Sequence, residues 1–170
     1  MFDAGGFAPS SGAAPGKDGP EGPSRGCQTM VAASRQQRHP FGLVVTGEAE
    51  SWLPALEGIV GSRWLTTYRV RGDDELLDVV ESGLTDAAVL DDEIEWGSDV
   101  LDLLRMIRRL DQRIPVVVVT AHRDRRWLEE ALRLAAFSVV VRPLELEELL
   151  RQIRQMMLRA EQMLRRGPGI

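Results

Sequence analysis

Residues 115–120 read PVVVVT and contain the clearest strand pattern of the chain. Its four consecutive β-branched valines favour an extended strand over a helix. A strand without alternating polar residues is typical of a sheet that is covered on both faces. The run therefore predicts an α/β protein in which a parallel sheet lies between two layers of helices.

Short apolar strands and amphipathic helices alternate on both sides of this run. The predicted strands are 42–46, 64–70, 86–90, 116–120 and 137–141. Apolar residues at helical spacing predict helices over 50–60, 73–82, 98–110, 124–135 and 145–166. In the third helix we expect Ser98 as the N-cap and a buried stripe of Leu101, Leu104, Ile107 and Leu110. Five strands alternating with five helices predict a doubly wound parallel sheet with right-handed crossovers.

The ends of the chain differ in composition from its centre. Residues 1–26 contain seven of the 16 glycines and four of the nine prolines. Such a segment buries too little apolar surface to offset its ordering entropy. We therefore predict a flexible Gly/Pro-rich tail over 1–39, a folded domain over 40–166 and a disordered end over 167–170.

Charge and composition exclude several classes of function. The chain has 170 residues and a net charge of −5, so it lacks the positive field that attracts nucleic acid or anionic lipid. Its single cysteine, Cys27, rules out an intrachain disulfide and any multi-cysteine zinc site. No stretch approaches the roughly 20 apolar residues of a membrane helix, and no signal-peptide pattern is visible. We expect a cytoplasmic protein that binds neither nucleic acid nor membranes.

The fold class predicts where a functional site lies. In open parallel sheets, ligands bind beyond the carboxyl ends of the strands. The residues at those positions are Thr46, Gly47, Glu48, Asp91, Thr120, Ala121, His122 and Arg142. We therefore expect these side chains to form the site.

Three of the strand ends carry a family resemblance: VLD at 89–91, VVVVTA at 116–121 and VVVRP at 139–143. With the order of all ten elements, they make residues 41–158 resemble the receiver domain of two-component response regulators (CheY-like). The resemblance implies a flavodoxin-like sheet with strand order 2-1-3-4-5. It also implies that Asp91 accepts a phosphoryl group from a histidine kinase and that the Thr120 hydroxyl contacts a phosphoryl oxygen.

Two further residues match the family. Ala121 is the small residue that leaves the phosphoryl pocket accessible, and Pro143 matches the proline that follows a cis peptide bond.

Other positions of the resembled site depart from the family. The two acidic residues that hold Mg²⁺ after the first strand are replaced by Thr46 and Gly47, and Glu48 follows one residue late. Mg²⁺ requires hard oxygen ligands, so its binding is expected to be weakened. The family's lysine is Arg142, which differs from lysine in shape and hydration, and its switching aromatic residue is Val139. The only lysine of the chain is Lys17, in the predicted tail.

An acidic run, Asp91 to Glu93, follows the third strand. If the strand continued, alternation would place Asp91 and Glu93 on one side and Asp92 on the other. Like charges so close need compensation. The alternatives are pairing with Arg142, a cation held by Glu48, Asp91 and Glu93, or side chains that spread into solvent.

We interpret the chain as an atypical single-domain receiver that signals by protein–protein contact, with a degenerate phosphorylation site and no enzymatic activity. The alternatives are a working receiver that is phosphorylated on Asp91 and, on the same fold, a small ligand-binding protein or hydrolase. The expected partner is a histidine kinase or an effector protein. A homodimer through the fourth helix, fifth strand and fifth helix is also expected, with Met156, Met157, Met163 and Leu164 in an apolar stripe of the last helix.

Overall fold

The computed structural model describes residues 39–47 and 49–166. Its strands are β1 (Phe41–Val45), β2 (Leu65–Arg69), β3 (Ala87–Asp91), β4 (Val116–Thr120) and β5 (Ser138–Val141). Its helices are α1 (Leu53–Val60), α2 (Asp73–Glu81), α3 (Val100–Leu110), α4 (Arg125–Arg133) and α5 (Leu146–Arg166). A short 3₁₀ turn, Ala49–Ser51, precedes α1. The predicted tail, apart from His39, and the predicted disordered end lie outside the described residues.

All five strands are parallel and form one sheet in the order β2-β1-β3-β4-β5. This confirms the predicted fold class and strand order. The register pairs Asp91 with Val119 and Thr120 with Val141, so β3, β4 and β5 end at nearly the same level. Polar residues at these three ends are thereby brought together along one edge of the sheet.

Alternating strand residues divide the core into two layers. Leu43, Val89 and Val117 pack on the side of α1 and α5. Val44, Leu90 and Val118 pack on the side of α2, α3 and α4. Burial on both faces explains why the valine run of β4 carries no polar alternation. Among the described residues, no helix is long and apolar enough to cross a membrane.

The N-terminal end of α3 differs from the prediction. Its N-cap is Asp99, whose side chain accepts a hydrogen bond from the Leu101 backbone N–H, and not Ser98. The Ser98 hydroxyl instead donates to Asp73. Ser and Asp are both strong N-caps, so the sequence alone did not separate these neighbours. Leu110 was also wrongly assigned to the buried stripe, since it is 38% exposed.

The last helix requires a second correction. Met156 is fully buried in the layer formed by α1 and α5, and Met157 packs partly against that layer. These two methionines therefore belong to the core and are not a partner surface. Met163 is 42% exposed, and the side chain of Leu164 lies outside what the structure describes.

Candidate functional site

Four of the predicted site residues meet at the carboxyl edge of the sheet. Thr46 follows β1, Asp91 ends β3, Thr120 ends β4 and Arg142 follows β5. Thr46, Asp91 and Thr120 are all buried, in spite of their polar side chains. Buried polar groups of this kind need partners, so the hydrogen bonds between them define the site.

Asp91 and Arg142 form the central ion pair. The Arg142 Nη2 lies 2.6 Å from Asp91 Oδ1 and 2.5 Å from Oδ2. The Asp91 side chain is 2% exposed and that of Arg142 is 23% exposed, so solvent screens the pair only weakly. A charge-assisted contact to both carboxylate oxygens is among the stronger protein interactions.

Arg142 also faces the rest of the acidic run. Its Nε lies 3.4 Å from Glu93 Oε1 and 4.0 Å from Asp92 Oδ1. Burial on its own would lower the pKa of the guanidinium, but the hydrogen bond to Asp91 and the surrounding carboxylates raise it above its usual value. Of the three alternatives for compensating this run, the described residues show pairing with Arg142.

Thr46 occupies the first position where the family carries a metal-binding acid. Its Oγ1 accepts a hydrogen bond of 2.9 Å from the Asp91 backbone N–H, and its side chain is buried. The hydroxyl therefore ties the end of β1 to the end of β3. It supplies no negative charge at this position.

Gly47 occupies the second such position and has a positive φ of 68°. A Cβ built on Gly47 would lie 2.5 Å from Asp91 Cβ and 2.9 Å from Asp91 Cγ. Both the backbone conformation and this close approach favour glycine. An acidic side chain does not fit here without a shift of the loop against Asp91.

The residues present do not fit the Mg²⁺ site that the resemblance implies. Neither Thr46 nor Gly47 carries a carboxylate, and both Asp91 oxygens are engaged by Arg142. Among the described residues, no group of three His, Cys, Asp or Glu side chains is placed to hold a metal ion. Of the predicted set Glu48, Asp91 and Glu93, Glu48 lies outside the described residues. The described residues therefore do not supply the set of carboxylates that Mg²⁺ requires.

Thr120 and Ala121 both donate to Asp92. The Thr120 Oγ1 lies 2.6 Å and the Ala121 backbone N lies 2.8 Å from Asp92 Oδ2. The Thr120 Oγ1 also accepts a hydrogen bond of 2.9 Å from the His122 backbone N–H. These hydrogen bonds connect the end of β4 and the loop after it to Asp92, the residue that follows β3.

Asp92 was not among the functional residues predicted from the sequence. The alternation considered for residues 91–93 holds only if β3 continues, but the strand ends at Asp91. There the Asp91 Oδ1 accepts a hydrogen bond from the Glu93 backbone N–H, which turns the chain. The signal available in the sequence was a second carboxylate directly after Asp91, which ends the strand adjacent to the one that ends in Thr120.

The remaining predicted residues lie around this centre. The Arg142–Pro143 peptide bond is cis, as the resemblance implies. Val139 packs partly into the layer of α2, α3 and α4. Trp96, which lies in the loop between β3 and α3 and was not predicted to be part of the site, packs partly against the same layer. It lies beside Gly72, at the start of α2, where a Cβ would be 3.6 Å from the Trp96 ring. His122 is exposed and stacks on Trp127, with 4.7 Å between the ring centroids.

Comparison with known proteins agrees with the fold. The family model "Response regulator receiver domain" matches residues 43–154. Sporulation initiation phosphotransferase F of Bacillus subtilis is 25% identical over 83 residues, which cover 49% of this chain and 66% of that protein. The match thus spans just under two thirds of that relative's length.

Two solved structures share the fold. A CheY-like response regulator receiver domain protein from Methanospirillum hungatei has a TM-score of 0.62 at 15% identity, covering 73% of this chain and 98% of that one. A two-component response regulator from Clostridium difficile has a TM-score of 0.60 at 18% identity, covering 70% and 97%. With the family model spanning most of the described residues, the chain belongs to the response regulator receiver domain family of two-component signalling.

Proposed function

We propose that this chain is an atypical receiver that signals through protein–protein contact and whose site is held in one state without phosphorylation of Asp91. The observation that carries the proposal is the contact of Arg142 with both oxygens of the buried Asp91 carboxylate. In this proposal the chain is a binding component and not an enzyme.

Phosphoryl transfer to Asp91 would have to overcome this contact. A carboxylate oxygen attacks phosphorus only when it is free, and the transition state needs cations placed on the equatorial oxygens. Here the cation of the site neutralises the nucleophile itself. The positions that would hold a metal carry a hydroxyl that bonds the Asp91 backbone and a glycine packed against the Asp91 side chain.

The proposed partner surface consists of α4, β5 and α5. β5 is an edge strand of the sheet, and beside it lies a cleft of about 530 Å³. The cleft is lined by residues 139–143 together with Arg123, Glu145 and Glu148. Leu132 on α4 is 56% exposed, and Leu158 on α5 is 53% exposed. Exposed leucines on α4 and α5 suit a protein partner, either a histidine kinase, an effector protein or a second copy of the chain.

Sedimentation velocity tests the self-association part of this proposal. Leu158→Asp places a charge on the surface and is expected to weaken a homodimer by at least about tenfold. Ile59→Asp is the matched control, because Ile59 is 60% exposed but lies on α1. A wild-type chain that stays monomeric, or equal weakening by both variants, would exclude the homodimer through this surface.

Intact-mass spectrometry tests the main proposal. The wild-type chain is incubated with a small phosphodonor and Mg²⁺, with Asp91→Asn as the control. We expect no stoichiometric gain of a phosphoryl group in either protein. A gain of one group per chain that is absent from Asp91→Asn would instead support a working receiver.

Partner affinity provides a second criterion. With a partner identified by pull-down, we expect Asp91→Asn to bind within about threefold of the wild type, which is under 1 kcal/mol. A large loss or gain of affinity in Asp91→Asn would show that the state of Asp91 controls the output.

A further inference from the structure

The loop after β4 offers two hydrogen-bond donors to one anionic oxygen. The Thr120 hydroxyl and the Ala121 backbone N–H come from adjacent residues and converge on Asp92 Oδ2, at 2.6 and 2.8 Å. Paired donors aimed at a single negatively charged oxygen are the defining arrangement of an oxyanion site. In this chain the oxygen belongs to a neighbouring side chain.

The surroundings of the Asp92 side chain also suit an anionic group. Its side chain is 11% exposed, and Oδ1 is buried without a hydrogen-bond partner among the described residues. Oδ1 lies 4.0 Å from the Arg142 Nε, which is also buried and makes no hydrogen bond there. Two donors on one oxygen and a cation near the other favour a group with more than one anionic oxygen.

The family resemblance implies that Thr120, Ala121 and Arg142 line the phosphoryl pocket. We propose that in this chain the Asp92 carboxylate occupies that pocket as an internal anion and so keeps out an external phosphate-type anion. The inference deepens and rests on the proposed function, because it supplies a reason why the loop after β4 is held without phosphate. Asp92 then acts as a positioning residue for that loop.

The hydrogen bonds of the Thr120 hydroxyl explain how the bound Asp92 carboxylate excludes an external anion. A hydroxyl has one hydrogen to donate, and here it is donated to Asp92. Its oxygen meanwhile accepts from the His122 backbone N–H. An oxygen of an external phosphate therefore receives neither the Thr120 hydrogen nor the Ala121 N–H until the Asp92 carboxylate leaves.

Three variants separate the position of Asp92 from its charge. Asp92→Ala removes the internal anion and opens the site. Asp92→Asn keeps an oxygen that accepts from both donors but removes the charge. Glu93→Gln is the matched control, because Glu93 is 46% exposed and lies 3.4 Å from the same Arg142. Among the described residues, its side chain makes no hydrogen bond with Thr120 or Ala121.

The experiment is an NMR titration of backbone amides with inorganic phosphate, without any phosphodonor. In Asp92→Ala we expect saturable shifts of the Ala121 and His122 amides, with an affinity at least about tenfold above that of the wild type. Wild type and Glu93→Gln are expected to show no saturable shift there. Equal binding in all these proteins, or none in a folded Asp92→Ala, would overturn the inference.

Hydrogen exchange keeps the inference testable if Asp92→Ala does not fold. In the wild type the Ala121 amide is expected to exchange slowly, and Asp92→Asn is expected to accelerate that exchange several-fold with little change at Thr46. An unprotected Ala121 amide in the wild type would contradict the occupancy. Inorganic phosphate does not phosphorylate Asp91, so the NMR titration is independent of the intact-mass measurement. The inference about Asp92 and the proposed function can therefore fail separately.

Discussion

At the scale of single residues, Arg142 supplies the positive charge that the Asp91 carboxylate needs in order to be buried. An isolated carboxylate in a site with 2% exposure would be costly, because its desolvation is not repaid. The hydrogen bonds from Arg142 Nη2 provide that compensation. The state of the site therefore depends on one side chain from the end of β5.

Removal of the Arg142 side chain should show how strongly the stability of the protein depends on its pair with Asp91. We expect Arg142→Ala to lower the free energy of unfolding by about 2–3 kcal/mol, less than for a fully buried pair because Arg142 is 23% exposed. Urea unfolding gives the value. Arg113→Ala is the control, since its pair with Asp111 is exposed and should contribute less than about 1 kcal/mol. Equal losses in the two variants would contradict the role assigned to Arg142.

Gly47 is the second residue on which the site depends. We expect Gly47→Ala to destabilise the protein by about 2–4 kcal/mol, because a Cβ there meets Asp91 and φ is positive. Gly58→Ala is the matched control in the exposed part of α1, where a Cβ meets no atom within 4 Å. It should stabilise by about 0.5–1 kcal/mol. Thermal or urea unfolding of both variants measures the two changes in stability. Changes of the same sign in both variants would contradict the steric role assigned to Gly47.

At the scale of elements, the end of α4 shows how tertiary contacts set a boundary. The sequence pattern predicted a helix to Ala135, but the helix ends at Arg133 and Ala135 has a φ of 62°. Arg108, from α3, donates to the carbonyls of Ala135 and Ile114 at 2.8 and 2.6 Å. Burial lowers the pKa of Arg108, yet these carbonyls satisfy its donors. A contact from another helix thus stabilises a conformation for which alanine has no preference.

Ala135→Gly should therefore stabilise the protein by about 0.5–1 kcal/mol, since glycine adopts a positive φ without steric cost. Ala55→Gly, in the exposed part of α1, should have the opposite effect and destabilise by about 1 kcal/mol. The difference in unfolding midpoint between the two variants is the measurement. Destabilisation by both would show that Ala135 is not strained.

At the scale of the whole molecule, periodicity was enough to predict all ten elements and their layers. The continuous valine run, the helical spacing of apolar residues and the rule for parallel crossovers depend only on local pattern. The same rule brought Asp91, Thr120 and Arg142 to one edge of the sheet. The side-chain contacts within the site could not be predicted in this way. The hydrogen bond from Thr120 to Asp92 depends on where β3 ends. The packing of Gly47 against Asp91 depends on how the loop after β1 turns.

These contacts make Arg142, and not Mg²⁺, the cation of this site. The most direct test is an NMR titration of the full chain with MgCl₂, following the backbone amides of Thr46, Asp91 and Glu93. We expect no saturable shift of these amides up to tens of millimolar Mg²⁺, in the wild type and in Asp91→Asn alike. Saturable millimolar binding in the wild type that disappears in Asp91→Asn would contradict it.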